Sequence, residues 1–146
     1  MWHMKSIRAE DVPAIWPIVL PQLAPAIAVT NGRTSMGEIF RQLAAERCIL
    51  WVVFEDDQPV AASFITRVAQ YPLKRMLVVE ACGGSEMAEW LPTVIDVLRR
   101  FAADSGLAGV EMFGRPGWAR ALRPYGWATT LVLCEIDAPG ARQENG

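Results

Sequence analysis

The stretch from Met76 to Gly106 constrains the fold more than any other part of the chain. It reads Met76-Leu-Val-Val-Glu-Ala-Cys82, then Gly83-Gly84-Ser85, then a long apolar-periodic segment that stops at Gly106. Leu91, Val94, Ile95, Leu98, Phe101 and Ala102 recur at spacings of three and four, which marks a helix with one face on a sheet. Asp104-Ser105-Gly106 ends it, with glycine past the cap. A buried strand therefore runs through a glycine turn into a helix. Such a junction can point backbone N–H groups at a phosphate. Pro92 is tolerated most easily in a first turn, so the regular helix is expected to start near Glu89 or Trp90.

The rest of the chain supplies elements on both sides of this unit. Met4–Arg8 reads as a first strand. Val12, Ile15, Trp16, Val19, Leu20 and Leu23 have helical spacing, but Pro17 and Pro21 each remove a donor and crowd the preceding turn. One short helix followed by an irregular stretch to Asn31-Gly32 is expected. Thr34 or Ser35 caps a second helix with Glu38 in its first turn and Ile39, Leu43 and Ala44 on its apolar face; it ends near Arg47. Ile49–Glu55 and Val60–Val68 form a hairpin about Asp56-Asp57-Gln58-Pro59, and Lys74–Cys82 completes an antiparallel meander. Ala108–Phe113 is a fifth strand, Trp118–Arg123 a short helix, and Trp127–Ile136 a closing strand. From Ala138 the chain is polar and reads as a tail. The expectation is one domain over residues 1–137, with 138–146 as that tail.

Composition excludes several classes. Of 146 residues, 52% are apolar and 21% charged, which describes a globular chain. A net charge of −2 with no block of like charge argues against a nucleic-acid surface. No apolar run approaches the roughly 18 residues needed to span a bilayer; residues 12–29 come nearest but are interrupted by four prolines. Lys5 and Arg8 precede no cleavage pattern, so no signal peptide is read and a cytoplasmic site is expected. Cys48, Cys82 and Cys134 are odd in number and lack Cys-x-x-Cys spacing, so buried, reduced thiols are expected. With His3 as the lone histidine, neither a catalytic triad nor a metal site is read.

Four features could carry chemistry. The Gly83-Gly84-Ser85 turn could face a phosphate, or could serve only as a turn that needs positive φ. It is neither a P-loop nor Gly-x-Gly-x-x-Gly. Glu80, a carboxylate within an apolar strand, could act as a general base; it could equally be a strand residue held in an ion pair. Arg115 and Arg120 could grip an anion, or be solvated charges. Trp90, Trp118 and Trp127 could form a stacking surface, or pack as core and rim; Trp51 reads as core.

The element order β-α-α-β-β-β-α-β-α-β resembles the GCN5-related N-acetyltransferase (GNAT) fold over nearly the whole chain, an α/β (α+β) architecture of about six mostly antiparallel strands and about four helices. The segment Val110-Glu-Met-Phe-Gly-Arg-Pro-Gly-Trp-Ala-Arg-Ala-Leu-Arg-Pro-Tyr-Gly-Trp127 carries the clearest local likeness. Ile7-Arg-Ala-Glu-Asp-Val-Pro-Ala-Ile15 looks like the family's opening strand and helix. The resemblance implies an acyl-CoA-dependent N-acyltransferase with acetyl-CoA as cofactor, no metal, and an amine acceptor. It places the base at Glu80 and cofactor contacts at Ala81, Cys82, Gly83, Gly84, Ser85, Met87 and Ala88. The sequence departs from the family signature, Gln/Arg-x-x-Gly-x-Gly/Ala. The basic or amide residue is absent, Glu86 and Glu89 place negative charge where a pyrophosphate would lie, and Leu122 stands at the position of the family's tyrosine acid. Eroded GNAT-like chains of this length also occur among tailed-bacteriophage proteins, including a small internal virion protein of short-tailed phages. That likeness implies a catalytically inactive docking protein with a virion or other protein partner. Neither nucleic acid nor membrane is expected as a partner, and a homo-oligomer is compatible with both readings.

Overall fold

The computed structural model describes residues 1–140. Its strands are β1 (Trp2–Ile7), β2 (Ile49–Glu55), β3 (Ala62–Gln70), β4 (Arg75–Gly84) and β5 (Gly109–Met112), and they form one sheet in that order. The first four pair antiparallel. β5 runs parallel to β4, because a helical crossover separates them in sequence. The helices are α1 (Val12–Ala28), α2 (Met36–Ala44), α3 (Met87–Asp104) and α4 (Pro116–Leu122).

Alternation along the strands divides the core in two. Leu50, Val52 and Ile65 pack with Val19, Leu23, Ile39 and Leu43 of α1 and α2. Trp51, Val53, Phe64, Leu77 and Val79 pack with Trp90, Leu91, Val94 and Leu98 of α3. Leu122 of α4 joins this second cluster. Ser35 caps α2 as its sequence implies, its Oγ accepting from the Glu38 N–H at 3.1 Å. Ala44 does not share the buried face of Ile39 and Leu43.

Several expectations are corrected. α1 is one continuous helix despite Pro17, Pro21 and Pro25. Pro13, Pro17, Pro21 and Pro25 recur every four residues and all lie on the exposed side. The carbonyl orphaned by each of the last three is that of the proline one turn before, so water can satisfy it. As a result Ala9–Ala28 is a helix of 20 residues with mean hydropathy 1.2, long and apolar enough to cross a membrane; its inner face, with Val12, Val19, Leu23 and Ile27, lies in the core. α3 begins at Met87, before Glu89, with the exposed Pro92 inside it.

Gly83 and Gly84 are not a turn. Both belong to β4, opposite Ser63 and Ala62. Gly83 is glycine because α1 crosses β4 there: a Cβ would lie 1.8 Å from the carbonyl oxygen of Gln22. The turn into α3 falls on Ser85-Glu86, with Glu86 at φ +60°. The expected closing strand is absent: residues 127–138 have no regular structure. Cys48 and Cys82 are buried, but Cys134 is exposed because it lies in that segment.

Candidate functional site

β4 brings the candidate residues together through a bulge. Ile65 pairs with Ala81 and Thr66 with Val79, which leaves Glu80 as the extra residue. A bulge of this kind re-aims a side chain. Glu80 points to the α1–α2 side, where its Oε1 accepts from the Arg67 Nε–H and its Oε2 lies 3.8 Å from Cys48 Sγ. The ion pair anticipated as the structural alternative is therefore present, and it occupies Oε1 of Glu80.

Arg67 is not alone. It pairs across to Val78, and Val78 across to Glu111 of β5, so Arg67 and Glu111 share a face. Tyr71, in the β3–β4 connection, donates its hydroxyl to Glu111. That hydrogen bond holds the Tyr71 phenol above its usual pKa and keeps it neutral. Sequence patterns do not single out Arg67, Tyr71 or Glu111. A signal existed at Glu111, a carboxylate in a short apolar strand like Glu80, but the row across three strands follows only from the register.

The two strands part beyond this row. Pairing of β4 with β5 ends at Val79 and Met112, after which Phe113 and Gly114 lead away to α4. Among the described residues the outer edge of Glu80–Gly84 has no backbone partner. This strip contains Ala81, Cys82, Gly83 and Gly84; Ser85, Met87 and Ala88 follow at the start of α3. The helix start favours an anion through its dipole. It is flanked by Glu86 and by Glu89 in its first turn, and both are exposed.

On the α3 side the gap is filled. Phe64, Val79, Leu98, Met112, Trp118 and Trp127 close around a void of about 10 Å³. That is room for about one water. Leu122, at the position of the expected acid, is buried in the same packing. Trp90 is core, stacking edge-on against Phe64 at 5.4 Å and donating its indole N–H to the Ser85 carbonyl at 2.5 Å. Trp51 is core as read, its indole bound to Thr66 at 2.9 Å. Arg115 donates to the Pro25 carbonyl at 3.2 Å and so ties the β5–α4 loop to α1; Arg120 does not join it there. His3 bonds Asp56 at 2.9 Å. Among the described residues no group of histidine, cysteine and carboxylate side chains could hold a metal ion.

The thiols have separate fates. Burial, and next the Glu80 carboxylate, push Cys48 up to about 12; burial alone pushes Cys82 up to about 12. Thiolate is the reactive form. Titration of the native protein with a disulfide reagent at neutral pH is expected to find Cys134 fast, and Cys48 and Cys82 slow until unfolding. One common rate for all three would contradict the burial pattern. Both folded values lie above those of the unfolded chain. The stability they contribute is present in full below the unfolded thiol pKa, roughly 8.5, and is lost as pH rises toward the folded value of about 12. A urea midpoint that stays level across that window would contradict the linkage.

No protein-family model matches the sequence, and no curated protein is found to be similar to it. The five-stranded sheet with four helices is nevertheless the GNAT fold. A ribosomal-protein-alanine N-acetyltransferase from Brucella melitensis biovar Abortus superposes with a TM-score of 0.68 at 15% identity, over 96% of this chain and 100% of that one. A GCN5-related N-acetyltransferase from Ralstonia eutropha gives 0.65 at 11%, over 94% and 99%. A predicted acetyltransferase from Clostridium acetobutylicum, solved with acetyl-CoA, gives 0.62 at 14%, over 94% and 96%. At these identities the likeness is one of fold.

Proposed function

We propose that the chain is an acyl-CoA-dependent N-acyltransferase acting on an amine. The observation that carries this reading is the unpaired edge of β4 from Glu80 to Gly84, beside a β5 that has turned away. An extended amide-bearing arm, such as pantetheine, adds to a free strand edge through main-chain hydrogen bonds. When bound, acyl-CoA would supply the activated acyl group. Ala81, Cys82, Gly83 and Gly84 would hold the arm, and Ser85, Met87 and Ala88 would face its phosphates. Glu80 would take the proton from the attacking amine. Much of the rate in such a site would come from holding donor and amine together. The fold neighbour solved with acetyl-CoA supports this reading.

The residues fit the cofactor at the strand edge and oppose it at the helix start, where Glu86 and Glu89 repel a pyrophosphate. Entry also requires Trp118 and Trp127 to give way. That filled gap, with Leu122 in the acid's place, favours a second reading: a GNAT-fold protein without catalysis that docks on a protein partner, in a virion if the chain is phage-encoded. Calorimetric titration with acetyl-CoA separates the two. Saturable heat at or below about millimolar ligand is expected for the enzyme. No heat at that concentration leaves the docking reading, for which portal and capsid genes alongside would be the companion observation.

A further inference from the structure

A larger cavity than the void behind β5 lies at the other side of the β4–α3 turn. It offers about 420 Å³, the size of a small-molecule site. Trp2 and Glu55 come from the paired ends of β1 and β2, Pro59 and Ala61 from the β2–β3 connection, and Ser85 and Glu86 from the turn into α3. Trp2 packs against the α3-side core, and Glu55 is its cross-strand partner, so the cavity opens on the α3 face of the sheet. Glu80 points to the opposite face, and the free edge of Glu80–Gly84 looks the other way, toward β5.

The backbone of the wall is fixed in place. Ala61 donates its N–H to the Val53 carbonyl at 2.8 Å, and Ser85 donates to the Ala61 carbonyl at 2.9 Å. The Ser85 carbonyl in turn accepts from the buried Trp90 indole. A wall held this way loses little freedom when a ligand enters.

The charge of the wall has one sign. Its two ionisable side chains, Glu55 and Glu86, are carboxylates, and no lysine or arginine lines it. Among the described residues Glu86 has no ion-pair partner. Glu55 keeps a long contact of 3.7 Å to the Met1 ammonium, which sits nearer to Asp56, at 3.0 Å. Two carboxylates are too few for a metal ion, which wants six or more oxygen ligands or a cluster of stronger donors. An organic cation asks for less. Its ammonium groups need carboxylate oxygens, and its carbons need an apolar or aromatic wall, which Trp2 and Pro59 supply.

We propose that this cavity binds a small aliphatic diamine in its diammonium form, with one end at Glu55, the other at Glu86, and the carbon chain along Trp2. The site is across the sheet from Glu80, so it stands or falls independently of the acyltransferase reading.

The test is titration of the full chain with 1,4-diaminobutane, followed by amide and indole resonances in NMR spectra. A saturable shift is expected at the Trp2 indole and at residues 55–61 and 85–86, with a dissociation constant of about 1 mM or below. Butylamine is expected to bind about 10-fold more weakly, and 1,4-butanediol not at all. Glu55→Gln with Glu86→Gln is expected to weaken the diamine about 10-fold or more. Both side chains are well exposed to water, so the thermal transition of this variant should match that of wild type. No saturable shift by about 10 mM diamine overturns the proposal. So does equal binding by the double variant, by butylamine or by butanediol. Shifts centred on Glu80 and lost in Glu80→Gln also overturn it, since the diamine would then occupy the amine site of the acyltransferase reading.

Discussion

Gly83→Ala is expected to lower folding stability by about 4 kcal/mol, or to prevent folding outright. The new methyl would sit 1.8 Å from the carbonyl oxygen of Gln22 and 2.9 Å from its carbon. Both are backbone atoms, so no rotamer change relieves the contact. α1 would have to lift from β4. The Gln22 side chain would then lose its bonds to the Val60 carbonyl, at 3.0 Å, and to the Ser63 hydroxyl, at 2.7 Å. Gly117→Ala is the control: nothing lies within 4 Å of its added Cβ. It sits in α4, where alanine is favoured over glycine by up to about 1 kcal/mol. Urea denaturation of both variants decides the matter. A Gly83→Ala midpoint equal to wild type would mean that α1 and β4 are not in contact at this point.

Glu80→Gln is expected to reduce acyl transfer to amines by about 100-fold or more, the usual worth of a positioned general base. Glutamine keeps the shape of the side chain and its acceptor oxygen toward Arg67 but cannot take a proton. Binding of acetyl-CoA, which would rest on the backbone of the strip, should be unchanged. Release of free thiol from acetyl-CoA in the presence of a panel of primary amines provides the rate, and calorimetry the affinity. Equal rates for wild type and Glu80→Gln would remove Glu80 from the chemistry. Equal affinities alongside them would leave the strip as a binding site with another base or none. Arg67→Met extends the test, since it frees Glu80 from its ion pair. A rate that rises in this variant would show that the pair restrains the base; a rate that collapses would show that Arg67 positions it.

The fold could be read from the chain because its signals are local and periodic. The spacing of Leu91, Val94, Ile95, Leu98 and Ala102 fixes both the existence of α3 and its buried face. Ser35 with Glu38 places the start of α2. The apolar run Ile49–Phe54, the turn residues 56–59 and the alternation at Ala62, Phe64 and Thr66 give the first hairpin of the meander. The candidate site was legible only as a list. Glu80 stood out as a charge in an apolar strand, but its two partners, Cys48 and Arg67 of β3, lie 32 and 13 positions earlier. No local pattern reports such contacts.

Two misreadings have one cause. The prolines of α1 break a helix when each orphaned carbonyl is buried; here they fall every fourth residue on the solvent side, where water meets the loss. Gly83 and Gly84 resemble a turn until the path of α1 is known, and only then does the 1.8 Å approach explain why a side chain is forbidden. In both cases the residue's meaning depends on which face another element covers. The sequence by itself determined the three-strand meander, the start of α2, and α3 with its apolar face, since these follow from signals within one segment; it did not determine the continuity of α1 or the lack of regular structure in residues 127–138. Tertiary structure alone decided that Glu80 bulges toward Arg67, that β4 outruns β5 to leave a bare edge, and that Trp118 and Trp127 fill the space behind it. Each of these is a relation between distant segments, set by register and close packing rather than by any residue's own preference.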